Sequence, residues 1–112
     1  MRKVVAIIRA SKFDEVKEAL AKVGVNFFTY YDVRGFGMEK GEVKVYRGAI
    51  YDAGFIARYK LEILVAEEKV EAVVKAIVET GKTGTIGDGK VYVEALLDVI
   101  RIRTGERGID AV

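Results

Sequence analysis

Two successive β-α-β units forming an α+β sandwich are the fold this sequence predicts. Three observations carry that expectation. Two stretches hold apolar residues at helical spacing, and each is bracketed by short runs rich in β-branched and aromatic residues. The hydrophobic period therefore switches twice between two and about 3.6. The length of 112 residues, with no stretch resembling a linker, fits a single domain over 1–112. Hydrophobic residues make up 51% and charged ones 32%, which excludes disorder. A globule of this size hides roughly two-thirds of its chain's surface, enough for one core.

Each element has its own signal. Residues 3–9 are short and rich in Val and Ile, as a buried strand is. Ser11 stands where it can cap a helix, with Asp14 three residues on in the partner position of a capping box. Phe13, Val16, Leu20 and Val23 form one helical stripe, and Gly24 is a suitable stop. Residues 25–33, aromatic and β-branched, read as a second strand. Across 58–65, Tyr59, Leu61, Ile63 and Val65 alternate with Arg58, Lys60 and Glu62. A second helix is expected from about Glu67 to Gly81, with Val70, Val73, Val74, Ile77 and Val78 on one side. Short strands at 91–93 and 99–102 complete the order. The result is a ferredoxin-like double βαβ sandwich with both helices on one face of an antiparallel sheet. The other face lacks a cover, which points to self-association.

Residues 36–57 do not fit a compact domain, because hairpin loops usually need about 2–5 residues. The segment is interrupted by Gly37, Gly41, Gly48 and Gly54, and its charges cancel: Lys40, Lys44 and Arg47 against Glu39, Glu42 and Asp52. It reads as a mobile partner-contact arm.

The composition removes several functions. There is no Cys, His or Pro, so thiolate chemistry and the side chain most often used for proton transfer near neutral pH are missing. Ser11 is the only serine and has no His to activate it. A net charge of +2, spread along the chain, gives no strong field for nucleic acid. The longest apolar run, residues 4–8, is far short of the ~20 residues that span a bilayer. The expectation is a cytoplasmic, non-catalytic domain with no nucleic acid and no direct membrane insertion.

Chemistry concentrates near the C-terminus. In Thr83-Gly-Thr-Ile-Gly-Asp-Gly-Lys90, glycines let backbone amides converge on an anion and Lys90 adds a point charge. The spacing from Gly84 to Lys90 imitates a P-loop, but Val91 follows where Ser or Thr is needed, and a strand follows where a helix is needed. Gly35-Phe-Gly37-Met-Glu-Lys-Gly41 is likewise one residue too long for a dinucleotide fingerprint. On a strand, Arg101 and Arg103 would share one face about 6.5–7 Å apart, a separation suited to polyphosphate. A solvated edge strand explains that pattern as well. With Lys90, the pair favours a bound nucleotide.

Arg34-Gly-Phe-Gly37, Tyr46-Arg-Gly-Ala-Ile-Tyr51, Thr83-Gly-x-x-Gly-Asp-Gly-Lys90 and Ile100-Arg-Ile-Arg-Thr-Gly-Glu106 resemble, in order, the signatures of the nitrogen regulatory PII signal-transduction family. The resemblance implies a homotrimer with nucleotide clefts between neighbours, binding ATP, ADP and 2-oxoglutarate. It also implies a T-loop (36–57) that controls a partner such as an ammonium transporter, or an enzyme or regulator of nitrogen assimilation. A B-loop (82–90) and a C-terminal loop (103–112) complete the pattern. By this resemblance Gly87, Asp88, Gly89, Lys90, Arg101 and Arg103 hold the phosphates, and Thr29, Gly37, Met38 and Leu64 contact the nucleotide. For Leu64, plain core packing is an equal reading. Glu39, Lys40 and Arg58 match positions that serve 2-oxoglutarate, with Mg²⁺ on Glu39 only when ATP and 2-oxoglutarate are both present.

The departures shape the expectation. Glu39 replaces a glutamine and sets a negative charge beside a dianion and a triphosphate, so ATP binding is expected to survive with a weakened 2-oxoglutarate response. Arg58 replaces a lysine and keeps its charge. Tyr51 matches the tyrosine that some members carry as a uridylylation site, though Ile50 and Ala49 replace its usual neighbours. Thr85 stands where a lysine is common, with no consequence readable from sequence. Two other classes compete. A slow ATPase would use Asp88 or Glu106 as base. An RNA-binding module would need Phe27, Phe28, Tyr30 and Tyr31 on one face, where alternation does not put them.

Overall fold

The computed structural model describes the backbone of residues 1–35, 43–46, 49–52 and 57–112, and the side chains of 1–35 and 57–112. The elements run β1 (Arg2–Arg9), α1 (Phe13–Lys22), β2 (Thr29–Arg34), β3 (Val43–Tyr46), β4 (Ala49–Asp52), β5 (Ala57–Val65), α2 (Val70–Gly81) and β6 (Lys90–Ala95). Strands β2, β5, β1 and β6 form one antiparallel sheet in that spatial order. The expected double βαβ sandwich is the fold.

Register explains the core. Val4 opposes Ile63 and Ala6 opposes Leu61, so the apolar sets of β1 and β5 share one face. Val16 and Leu20 of α1 and Val73 and Ile77 of α2 pack onto that face in a single cluster. Leu20, Leu61, Ile63 and Ile77 are fully buried, and each contributes about 1.5–3 kcal/mol relative to exposure. Phe13 fixes the start of α1, its ring 4.5 Å from Tyr30 and 5.0 Å from Tyr59. Gly24, at φ +85°, ends the helix in a Schellman turn: Val25 N–H donates to Leu20 O and Gly24 N–H to Ala21 O.

The opposite face sets a polar network around the buried Val5, which faces Glu62 and Tyr92 across the strands. The Tyr31 hydroxyl lies 3.3 Å from Glu62, and Lys3 pairs with Glu94 at 3.4 Å. The Lys60 ammonium lies between Tyr31 and Tyr92, whose hydroxyls, Tyr31's foremost, raise its pKa.

Three expectations are corrected. Ser11 does not cap α1. A 3-10 turn over Ala10–Lys12 precedes the helix, and Phe13 N–H is satisfied by Ala10 O, so Ser11 lies inside the turn and is exposed. The second strand begins at Thr29 rather than residue 25, because the chain splays from β5 beyond the Thr29–Glu62 pair and leaves a cleft. No strand forms at 99–102. Apart from an Ile100–Arg107 bridge, residues 99–108 fold into a turn closed by Arg101 N–H to Glu106 O, Gly105 N–H to Arg101 O and Gly108 N–H to Val99 O.

Within the long segment, β3 and β4 pair antiparallel, with Val43 opposite Asp52 and Tyr46 opposite Ala49. Tyr51 lies on β4, opposite Lys44. Gly37, Met38, Glu39 and Lys40 lie outside the described residues.

Candidate functional site

The 82–90 turn connects the end of α2 to the edge strand β6, and Asp88 organises it. Its Oδ1 accepts from Arg9 Nε at 2.9 Å and from the Thr83 hydroxyl at 2.5 Å. Its Oδ2 accepts from the backbone N–H of Thr83 at 2.8 Å and of Gly84 at 2.9 Å. The Thr83 hydroxyl also lies 2.7 Å from that of Thr85. These bonds, Thr83's hydroxyl first and Arg9's guanidinium next, hold the Asp88 carboxyl far below the usual carboxylate range. Asp88 is therefore an ionised structural anchor. Both its side-chain oxygens are committed to the turn.

The glycines have separate duties. Gly84, Gly87 and Gly89 all have positive φ. Gly89 is the most constrained: a Cβ there would overlap the carbonyl oxygen of Ile7, because the turn rests directly on β1. Lys90 then opens β6 opposite Ile7, with its side chain exposed. An arc of backbone from Gly87 to Gly89 with an ammonium beside it is an anion-receiving geometry.

A second feature lies at the other end of the sheet order. Thr29 and Leu64 line one cleft of about 630 Å³, together with Phe27, Ile100, Ile109 and Val112. Leu64 is 41% exposed, which rules out the core-packing reading. Polar character comes from Asn26, Thr29, Glu62 and Lys69. An apolar cleft with a few polar groups is the usual make-up of a small-molecule site. The tail residues Ile109 and Val112 escaped the sequence reading, since nothing local signals that the C-terminus folds back onto β5.

Arg58 lies on β5 opposite Val33, packed about 3.6 Å from where a Gly35 side chain would begin. Its Nε is buried and has no hydrogen-bond partner among the described residues. A buried guanidinium nitrogen without an acceptor is an invitation to an anionic group. Arg101 pairs with Glu106 at 3.4 Å, and Arg103 is exposed on the C-terminal turn. The two arginines thus do not share a strand face.

Within one chain these features stay apart. Thr29 lies on edge strand β2 and the Gly87–Lys90 arc adjoins edge strand β6, with β5 and β1 between them. Three inter-strand steps separate those edges by about 14 Å. The sequence assigns Arg9, Thr83 and Thr85 no fastening role in the turn; the structure does. The threonine spacing ahead of Asp88 was a readable signal of side-chain turn chemistry, whereas Arg9 is far away in sequence.

Among the described residues, no helix is long and apolar enough to cross a membrane. Comparison with known proteins agrees with the fold and motifs. The family model "Nitrogen regulatory protein P-II" matches residues 1–106. Nitrogen regulatory protein P-II of Rhizobium meliloti (strain 1021) is 49% identical over 112 residues, covering the whole of both chains. That of Pasteurella multocida (strain Pm70) is 48% identical, again over the full length of both. Among solved structures, Arabidopsis thaliana PII bound to citrate superposes with a TM-score of 0.80 at 43% identity, covering 99% of this chain and 91% of that one. Whole-length identity at this level, on the same sandwich, makes this chain a member of the nitrogen regulatory protein P-II family.

Proposed function

We propose that this chain is a non-catalytic adenine-nucleotide sensor of nitrogen regulation, working as a cytoplasmic homotrimer. ATP or ADP binds between neighbouring copies. The phosphates sit on the Gly87, Asp88 and Gly89 backbone with Lys90, Arg101 and Arg103, and the base sits by Thr29, Gly37, Met38 and Leu64. The observation that carries the reading is the split of the site. The anion-receiving arc and the apolar cleft adjoin opposite edges of the sheet, so one chain's arc can meet another chain's cleft in a closed ring.

A 2-oxoglutarate response belongs to the same reading, in weakened form. Arg58 supplies a buried nitrogen without an acceptor among the described residues, at the root of the T-loop, suited to a carboxylate. The Arabidopsis relative carries citrate, also a polycarboxylate. Lys40 and Glu39 would complete that subsite, with Mg²⁺ on Glu39 when both ligands are bound. Nucleotide and 2-oxoglutarate then bias the T-loop only if they bind its arrangements unequally. The output is contact with an ammonium transporter or a nitrogen-assimilation enzyme or regulator, and Tyr51 is a contact residue there whether or not it is modified.

The slow-ATPase reading is weaker. Asp88 is ionised, but its proton affinity is low and both its oxygens are committed to the turn. Glu106 is paired with Arg101. Neither is a poised general base.

Calorimetric titration with Mg-ATP, with and without saturating 2-oxoglutarate, tests the proposal. Micromolar ATP binding coupled to 2-oxoglutarate supports the full sensor. ATP binding without coupling leaves an adenylate sensor whose carbon input is lost, and Glu39→Gln should then restore the coupling. No ATP binding overturns the reading. Sedimentation at the same concentrations must return three copies per particle.

A further inference from the structure

Arg9 is not among the residues assigned to the nucleotide, yet its side chain is only 18% exposed and spends its hydrogen bonds on the 82–90 turn. Nε donates to Asp88 Oδ1 at 2.9 Å. Nη2 donates to the Thr85 hydroxyl at 3.1 Å and to the Ile86 carbonyl at 3.0 Å. One guanidinium thus fastens three residues of a turn whose glycines, at positive φ, give it large conformational freedom. From the other side, Asp88 gathers Thr83 and Gly84. The fastenings fall on both sides of the Gly87–Gly89 backbone, at residues 83–86 and at Asp88, and brace it against β1.

We propose that Arg9 is the positioning residue of the phosphate turn. It holds the Gly87–Gly89 arc in its anion-receiving shape without touching the ligand, and Thr85 is its second foothold. The inference rests on the nucleotide reading above and deepens it. A planar fork is what the task requires. Its donors point in fixed directions to three acceptors, whereas a lysine ammonium is a compact charge that follows one of them. It also gives a role to Thr85, because a hydroxyl at that position accepts from the fork and meets Thr83, which a lysine could not do.

The test is titration of the full-length protein with ATP, and with adenosine as a probe that lacks phosphates, in wild type, Arg9→Met, Arg9→Lys and Thr85→Val. Losing charge-assisted bonds that order the turn should weaken ATP binding about tenfold or more in Arg9→Met. Arg9→Lys should recover only part of the loss, and Thr85→Val should lose about threefold. Adenosine affinity should stay within about twofold in all of them, since the cleft by Thr29 and Leu64 is untouched. Equal loss of ATP and adenosine would mean that Arg9 merely supports the fold, and would overturn the proposal. So would wild-type ATP affinity in Arg9→Met, with the nucleotide reading left standing. If wild type itself binds no ATP, the nucleotide reading fails and takes this inference with it. Should Arg9→Met not fold, Arg9→Lys and Thr85→Val decide alone: unchanged ATP binding in both overturns the proposal.

Discussion

Two glycine-bearing turns near the C-terminus carry the residues assigned to phosphate, and they are held in opposite ways. The 82–90 turn is fastened by side chains: a carboxylate, two threonine hydroxyls and a distant guanidinium. The 99–108 turn is fastened mainly by its own backbone, through Arg101 N–H to Glu106 O, Gly105 N–H to Arg101 O and Gly108 N–H to Val99 O. The first presses against β1, while a Cβ at Gly105 or Gly108 would meet nothing within 4 Å. A turn fastened by side chains and wedged against a central strand is sensitive to substitution and to charge. A turn closed by backbone bonds in open space is tolerant of both.

The largest effect that separates the two is Gly89→Ala against Gly105→Ala. At Gly89 the new methyl overlaps the Ile7 carbonyl and the φ of +93° is unfavourable, so a loss of about 3 kcal/mol or more is expected. At Gly105 only the φ of +72° matters, and about 1 kcal/mol is expected. Urea unfolding measures both, and equal losses would abolish the distinction.

Acid comes next. A carboxyl whose folded pKa lies below its unfolded one stabilises the fold fully above the unfolded value, and loses that contribution as pH falls toward the folded value. Asp88 is such a group. The stability gap between wild type and Asp88→Asn should be constant from neutrality down to about pH 5 and shrink below about pH 4, the ordinary carboxylate range. A gap that ignores pH would mean that the charge at position 88 is not what fastens the turn.

The smallest effect belongs to Glu106→Gln. Its pair with Arg101 is half exposed on both sides and spans 3.4 Å, so the change should stay within about 0.5 kcal/mol at ordinary salt. A loss approaching that of Asp88→Asn would mean that side chains also govern the C-terminal turn.

Legibility from sequence follows the same division. Strands β1 and β5 and helix α2 were readable because burial imposes a period on the apolar residues, and the observed register puts Val4, Ala6, Leu61 and Ile63 on one face. The phosphate turn was readable as glycine chemistry. Its fastening by Arg9 was not, because Arg9 and Asp88 are joined only when β6 pairs with β1. Ser11 misled because a 3-10 turn satisfies the helix start through backbone alone. The alternation of Ile100, Arg101, Ile102 and Arg103 imitated a strand, but Gly105 and Gly108 at positive φ fold the segment back on itself. Alternation in so few residues does not specify a partner strand, and among the described residues nothing supplies one beyond a single bridge.

The close seat of Gly89 on Ile7 also bears on how the last strand finds its place. Strand β6 is an edge strand and mostly exposed, with only Val91 packed against the core. Its side chains therefore say little about which alignment with β1 is right, and such strands are prone to slip. Gly89 supplies the missing information. Sliding β6 by one residue would bring the Cβ of Asp88 or Lys90 against the Ile7 carbonyl, and neither fits where a Cβ from position 89 does not. The glycine works as a notch in a key: the strand seats in one alignment, and seating it brings Asp88 within reach of Arg9.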